Sequence, residues 1–319
     1  MEYASCKPSH TLGKSYRLAE KKDLEFFKDA EKHLEKKRKE LFDKWGTDPV
    51  PDEIISTPDG KEYAPGGVLY NFTPVVLYGM TKWGDLFNFR QKLTLITFVE
   101  KVRQAHEKML EEGYEQEYAR AVVSYLAKGV DMTAAFTNML ARWENTSEAI
   151  KQLYSRQALP MLWDYAEVNP FSGSSGSLET GWEYYAKVIG HCIQVNTPPA
   201  TVKQASAISL PYPDDYFDAV ITDPPYYDNV PYSDLSDFFY VWLKRAIGDL
   251  YPELFATPLT PKTEEIIDSL CLLRGMPKGK AYEFDDIKVK RKEDFEAMLA
   301  KAFKEIERTL KPEGIASLE

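Results

Sequence analysis

A short apolar stretch, residues 217–222, runs directly into Asp223, Pro224, Pro225 and Tyr226. A compact apolar run of this length, ended by prolines that cannot donate a backbone hydrogen bond, predicts a β-strand followed by a rigid loop. Ligands bind at the carboxyl ends of strands in open α/β sheets. The end of this strand is therefore a candidate binding site.

The four residues after the strand have the chemistry to hold a planar group that carries an amine. The two prolines fix the backbone and remove two N–H donors, which leaves carbonyl oxygens free to accept hydrogen bonds. The carboxylate of Asp223 is a further acceptor, and the ring of Tyr226 offers a flat surface for stacking. A rigid turn without a binding role is the alternative interpretation of a bare Pro-Pro pair.

The two halves of the chain have different sequence patterns, and the change falls at about residue 165. In the first half, apolar residues recur three, four or seven positions apart among charged ones, which predicts helices. These are expected within the first 45 residues and at 88–112, 115–128, 131–143 and 147–159. Residues 46–75 are rich in Pro, Gly and Asp and predict an irregular linker. Residues 1–160 are therefore expected to form a mostly helical domain.

In the second half, predicted strands alternate with predicted helices, which is typical of an α/β fold. Strands are expected at 201–207, 217–222 and 315–318, and helices at 179–190, 234–247, 262–273 and 293–310. Because residues 217–222 are apolar on both faces, this strand is expected at the centre of the sheet, parallel to the other two. Residues 165–319 are thus predicted to form an α/β domain.

Composition limits the partners and the location of the chain. The 319 residues contain 40 Lys and Arg against 50 Asp and Glu, a net charge of −10, so contact with nucleic acid requires a local basic patch or a basic partner. No apolar run approaches the roughly 18 residues of a membrane helix, and no secretory signal is visible. Three scattered cysteines predict a reducing, cytoplasmic environment. The best candidate for phosphate contacts is a basic cluster of Lys278, Lys280, Lys288, Lys290, Arg291 and Lys292.

The Asp-Pro-Pro-Tyr quartet resembles the signature of S-adenosylmethionine-dependent amino-methyltransferases that act on adenine in DNA. Residues 226–243 and 78–88 are similar to a family of large prokaryotic adenine-specific DNA methylases, whose longer members carry an N-terminal domain of unknown function. The resemblance implies an incomplete Rossmann-like methyltransferase sheet preceded by a helical domain. It also implies S-adenosylmethionine as the cofactor and an adenine flipped out of DNA as the target. Asp223 and the carbonyl of Pro224 would hold the adenine amine, and Tyr226 would stack on the base.

Residues 169–176 resemble the Asp-Pro-Phe-x-Gly-x-Gly type of cofactor loop, with an insertion. This resemblance makes Phe171, Gly173 and Gly176 the candidate cofactor-binding residues. A Gly/Ser loop with no cofactor role is an equally good interpretation.

Other cofactor contacts are missing from the sequence. No acidic residue lies between Glu183 and Asp214 to hold the ribose of the cofactor. The chain is therefore predicted to be a fragment, or one half of a split enzyme, with a second chain or a missing N-terminal part supplying the cofactor loop. The alternative function is a non-catalytic DNA-recognition or assembly module with a degenerate methyltransferase half. No metal site is predicted, because Cys6 and His10 alone do not make a tetrahedral zinc site.

Overall fold

Six α-helices, three short 3₁₀-helices and four strands make up the regular structure in the part of the chain that the computed structural model describes. The described residues are 17–55, 74–154, 158–194, 198, 200–226, 230, 232–262, 265–267 and 292–318. The helices are α1 (Lys21–Trp45), α2 (Phe89–Glu111), α3 (Gln116–Phe136), α4 (Leu178–Cys192), α5 (Tyr232–Ile247) and α6 (Lys292–Thr309). The strands are β1 (Arg142–Glu144), β2 (Ala149–Lys151), β3 (Phe217–Thr222) and β4 (Leu310–Leu318). No helix among these residues is long and apolar enough to cross a membrane.

The charged N-terminal segment forms the helix that its periodicity predicts. α1 packs against α2, buries Leu34 and Leu41, and leaves most of its Lys and Glu side chains in solvent. It ends at Gly46, whose backbone N–H donates back into the last turn and whose φ of 71° is a left-handed conformation that glycine adopts without strain. A salt bridge of 2.6 Å between Lys37 and Glu100 joins the two helices.

α2 confirms the helix predicted at 88–112, and its start has a local cause. The side chain of Asn88 accepts from the backbone N–H of Gln91 at 3.0 Å, and the side chain of Gln91 accepts from the backbone N–H of Asn88 at 2.9 Å. This reciprocal pair satisfies two backbone donors that the first turn of a helix leaves without partners. The helices predicted at 179–190, 234–247 and 293–310 are likewise confirmed, as α4, α5 and α6.

α3 is one helix of 21 residues, where the sequence predicted two, at 115–128 and 131–143. Gly129 lies at the predicted break, but the helix continues through it. A Cβ atom at Gly129 would lie 2.2 Å from the indole ring of Trp182 in α4. Because Gly129 has no side chain, α4 can pack closely against α3 at this point, and the glycine does not end the helix.

The helix predicted at 147–159 is wrong, because β1 and β2 form an antiparallel hairpin with Trp143 opposite Ile150. The connecting residues 145–147 are Asn, Thr and Ser, which favour turns, and Glu148 has a left-handed φ of 44°. Lys151 pairs across the hairpin with Glu144 at 3.0 Å. The turn-forming residues and the cross-strand pair thus favour a hairpin, although the spacing of apolar residues predicted a helix.

The main hydrophobic core contains residues from α1, α2, α3, α4 and α5. At its centre, the ring of Phe87 stacks on that of Phe238 with centroids 5.8 Å apart and meets the edge of Trp242 at 5.3 Å. Since Phe238 and Trp242 belong to α5, this core crosses the boundary predicted between residues 1–160 and 165–319. The two predicted domains stay a prediction.

β3 and β4 form a two-stranded parallel sheet, and α6 leads directly into β4. Val220 lies opposite Ala316, and Lys311 donates to the carboxylate of Asp218 at 2.6 Å. The predicted parallel pairing of strand 217–222 with residues 315–318 is confirmed.

Two other expectations for the second half are wrong, and a third lies mostly outside the described residues. Residues 201–207 have little apolar surface to bury and are irregular, apart from an isolated bridge between Ser206 and Ser209. The helix predicted at 262–273 falls mostly outside the described residues, and the described ones, 262 and 265–267, are not helical. β3 is not central among the described residues: β4 is its one described partner, and Ile221 is 77% exposed. The structure is mixed α/β, but its described part contains no Rossmann-like sheet, because each of its two sheets has only two strands.

Candidate functional site

The Asp-Pro-Pro-Tyr motif lies at the carboxyl end of β3. The strand ends at Thr222, so the backbone leaves the sheet at the first residue of the motif, Asp223. Pro224 and Pro225 are half-buried, Asp223 is exposed, and the ring of Tyr226 is 55% exposed. The structure thus brings the four predicted residues together on an accessible surface, while their catalytic role stays a prediction.

The carboxylate of Asp223 is exposed, and no salt bridge or side-chain hydrogen bond joins it to another described residue. Asp218, in β3, is different: it accepts a hydrogen bond from the ammonium group of Lys311, which lowers the pKa of its carboxyl. The ionised side chain of Asp223 only accepts hydrogen bonds, and Pro224 and Pro225 have no backbone N–H, so these three residues suit an amine as ligand.

A partly buried cluster that the sequence analysis missed holds the start of α5, six residues after Tyr226. It comprises Ser233, Asp237, Thr260, Lys262 and Glu265, and we call it the α5 anchor. Asp237 accepts three hydrogen bonds, from the Lys262 ammonium at 2.8 Å, the Thr260 backbone N–H at 2.9 Å and the Thr260 hydroxyl at 2.6 Å. Glu265 accepts from the backbone N–H of Ser233 at 3.1 Å and from its hydroxyl. The anchor therefore joins the first turn of α5 to residues 260–265.

Asp234 lies in the first turn of α5, beside the α5 anchor. It is buried, and its Oδ1 has no hydrogen-bond partner among the described residues. Burial raises the pKa of Asp234 to about 7; the negative charges of Asp237 and Glu265 add to this rise, and the positive charge of Lys262 opposes it. Its carboxyl group therefore changes protonation near neutral pH. In the sequence, the spacing of Asp234 and Asp237 places two acids on one face of a predicted helix, but nothing there links them to residues 260–265.

Two more buried groups approach this region from the helical core. The hydroxyl of Tyr154 donates to the backbone carbonyl of Leu235 at 2.8 Å, and burial raises the pKa of Tyr154 well above its usual value, so this donor stays neutral. Burial also raises the pKa of Asp131 in α3 well above the ordinary range. Tyr154 thus supplies a polar contact to the first turns of α5, and no described contact joins Tyr154 or Asp131 to the motif.

The candidate cofactor loop packs against the helical core. Phe171 is exposed, but one edge of its ring meets Phe98 of α2 at 5.7 Å. Gly173 has a left-handed φ of 66° and open space around it. Gly176 has φ 86°, and a Cβ atom there would lie 2.7 Å from the side chain of Phe136 at the end of α3. Gly176 is therefore explained by packing.

No strand leads directly into this loop, since the residues before it, 158–168, are irregular. Ser177 ends the loop and begins α4 by accepting from the backbone N–H of Thr180. Among the described residues, no hydrogen bond, ion pair or ring contact joins the loop to Asp223 or Tyr226. The structure thus does not bring the two predicted parts of the site together.

The remaining candidates lie mostly outside the described residues. Of the predicted basic cluster, only Lys292 is described, and it lies 3.6 Å from Glu296 in α6. Cys6 and His10 also fall outside the described part. Within that part, no group of three or more His, Cys, Asp or Glu residues is placed to hold a metal ion.

Comparison with known proteins does not assign the chain to a family: no family model, no curated protein sequence and no solved structure matches it.

Proposed function

We propose that this chain takes part in methyl transfer from S-adenosylmethionine to the exocyclic amine of adenine in DNA, and that residues 223–226 bind the adenine. One observation carries the proposal: an available carboxylate, proline-flanked carbonyls and an exposed aromatic ring stand together at the carboxyl end of β3. The resemblance of this quartet to the signature of adenine amino-methyltransferases supports it. Because the reaction requires access to DNA, we also propose a cytoplasmic location.

The chemistry of the motif in this reaction is orientation. Asp223 and the carbonyl of Pro224 would each accept one N–H of the adenine amine, which leaves the nitrogen lone pair directed toward the methyl donor. The carboxylate would also stabilise positive charge that develops on the nitrogen. Tyr226 would stack on the base, which must first leave the DNA duplex, since its amine cannot be reached inside the stack.

The methyl donor requires a binding loop that the described part of the chain does not provide. S-adenosylmethionine would supply the methyl group, but the loop of Phe171, Gly173 and Gly176 does not fit it, because Phe136 fills the space beside Gly176 and no described strand leads into the loop. We therefore propose that a second chain, or a further N-terminal part, supplies the cofactor site.

The β3–β4 sheet offers a surface for such a partner. Ile221 is 77% exposed and Ile315 is 71% exposed, although parallel strands are normally covered on both faces. The outer edges of the two strands also have no described pairing partner.

A non-catalytic DNA-recognition or assembly module is the second candidate. The observation in its favour is the same misfit of the cofactor loop, whose second glycine is explained by helix packing. This module would bind DNA or a partner without transferring a methyl group.

Methyl transfer by the natural assembly separates the two candidates. The chain would be recovered through an affinity tag from the cells in which it occurs, together with its partners, and given DNA of mixed sequence and tritiated S-adenosylmethionine. We expect tritium in the DNA and a decrease of at least about tenfold for Asp223→Ala, since a hydrogen bond to a charged group contributes roughly 1.5–3 kcal/mol.

Asp218→Ala is the matched control, because it removes an exposed carboxylate from β3, the strand that leads into the motif. It should retain wild-type incorporation. No transfer by the wild-type assembly would favour the non-catalytic module, and equal transfer by Asp223→Ala would remove Asp223 from the site.

A further inference from the structure

We propose that the outer face of α1 contacts the phosphate backbone of DNA through four exposed lysines, which we call the α1 lysine stripe: Lys28, Lys32, Lys36 and Lys39. With a net charge of −10, the chain needs a local basic patch to hold nucleic acid. The choice of DNA as the polyanion rests on the proposed function, but the binding itself can be measured without methyl transfer.

The stripe follows from the helical repeat of α1. Its members are four, four and three residues apart, so each lies about one turn beyond the last on the same side of the helix. At 1.5 Å per residue, the distance along the axis from Lys28 to Lys39 is about 16 Å. Leu34 and Leu41 are buried on the opposite side of α1, which packs against α2, so the stripe faces solvent.

The basic residues of α1 differ in whether the fold uses their charge. Lys37, on the inner side, is partly buried and lies 2.6 Å from Glu100 of α2. In the stripe, Lys32 lies 3.3 Å from Asp29, but both side chains are exposed, and ion pairs of this kind contribute little to stability. No described ion pair or side-chain hydrogen bond involves the other three lysines of the stripe. The fold thus leaves these charges available for a partner.

The acidic residues of α1 do not interrupt the line of the stripe. On the same side of the helix, Glu25 and Asp43 lie beyond its two ends, and Glu25 is 3.8 Å from Lys21. Glu35 and Glu40 lie on the flanks, about 50° and 90° around the helix axis from the line of the lysines. The positive charge therefore forms a narrow line with carboxylates beside it.

A narrow line of positive charge is complementary to the backbone of a DNA strand. One strand carries a phosphate about every 3.4 Å along the axis, so the stripe can lie beside about five phosphates. Lysine side chains are flexible and need no fixed geometry to reach them. The flanking carboxylates would repel a broad anionic surface, such as a membrane, more than a single strand. Since phosphates carry no sequence information, these contacts would hold DNA of any sequence.

Fluorescence anisotropy of a labelled DNA duplex tests the proposal, with the full chain at salt concentrations from about 50 to 200 mM. Replacing all four lysines of the stripe with Gln should weaken binding at least about tenfold. The slope of log Kobs against log salt should become shallower by about three to four, because each phosphate contact contributes about 0.9 to it. Two duplexes of unrelated sequence should lose affinity equally.

The matched control replaces four exposed lysines of α2, α3 and α4 with Gln: Lys101, Lys108, Lys128 and Lys187. It changes the net charge by the same amount, so it separates a local contact from a general charge effect, and it should bind as the wild type does. Gln and Lys have similar helix propensities, so both variants should fold, which circular dichroism checks. Arg at the four stripe positions should restore binding, since it keeps the positive charge.

Three outcomes would overturn the proposal: wild-type affinity and salt slope in the stripe variant, an equal loss of affinity in the control, or no binding of DNA by the wild-type chain at about 50 mM salt. The proposed function fails in a different way. Binding of DNA that depends on the stripe, in a natural assembly that transfers no methyl group, would refute methyl transfer and support the stripe as a DNA contact.

Discussion

Asp234→Asn should remove a large part of the pH dependence of folding stability between about pH 4 and pH 7. Asp234 is buried and one of its oxygens has no described hydrogen-bond partner, so its carboxyl is easier to bury neutral than charged. Its pKa is raised from 3.8 to about 7 in the folded chain. In the unfolded chain it returns to an ordinary value near 3.9.

The sign and size of the effect follow from these two values. Between pH 4 and 7 the folded state holds a proton that the unfolded state has lost, so wild-type stability decreases as pH rises and then becomes level. Each pKa unit corresponds to about 1.4 kcal/mol, so the rise of the Asp234 pKa from 3.8 to about 7 gives a contribution on the order of 2–4 kcal/mol. Asn is neutral at every pH, so Asp234→Asn should be close to wild type near pH 4 and more stable than wild type at pH 8.

Urea unfolding at fixed ionic strength, followed by the fluorescence of buried Trp83 and Trp242, measures this difference from pH 4.5 to pH 8. Asp218→Asn serves as the control, since the pKa of Asp218 is lowered by Lys311 and any effect of this variant has the opposite sign. A free-energy difference between Asp234→Asn and wild type that does not change with pH would refute the reasoning.

Two further predictions concern the loop of residues 169–176. Gly176→Ala should lower the free energy of unfolding by roughly 1–3 kcal/mol, because a Cβ atom at this left-handed position would clash with Phe136. Gly173→Ala should lower it by only about 1 kcal/mol, because Gly173 has a φ of 66° but open space around it. Urea unfolding measures both variants, and equal losses of stability would contradict the packing argument. The chain alone should bind S-adenosylmethionine weakly or not at all by isothermal titration calorimetry, and a micromolar Kd would instead support Phe171, Gly173 and Gly176 as cofactor residues.

The sequence was most informative where the structure is local. Heptad-like spacing in α1, the capping residues Asn88 and Gln91 of α2, and the continuous apolar face of α5 all determine their elements through neighbours three or four residues away. The Asp-Pro-Pro-Tyr motif was visible for the same reason, since four adjacent residues carry it.

The features that were not predicted from the sequence depend on contacts between residues far apart in the chain. Gly129 resembled a helix break, yet Trp182, 53 positions later, explains it. Asp237 and Lys262 form their pair across 25 residues, with no pattern that links them. The hairpin at 142–151 depends on pairing between two strands of three residues each. In segments this short, the spacing of apolar residues does not distinguish a strand from a helix.

The identity of the methylated base tests the central claim most directly. DNA treated with the natural assembly and tritiated S-adenosylmethionine would be hydrolysed to nucleosides and separated by chromatography. The account predicts that the label elutes with N6-methyladenine and falls at least about tenfold with Asp223→Ala. Label in a methylated cytosine, no label in DNA, or undiminished N6-methyladenine from Asp223→Ala would contradict it.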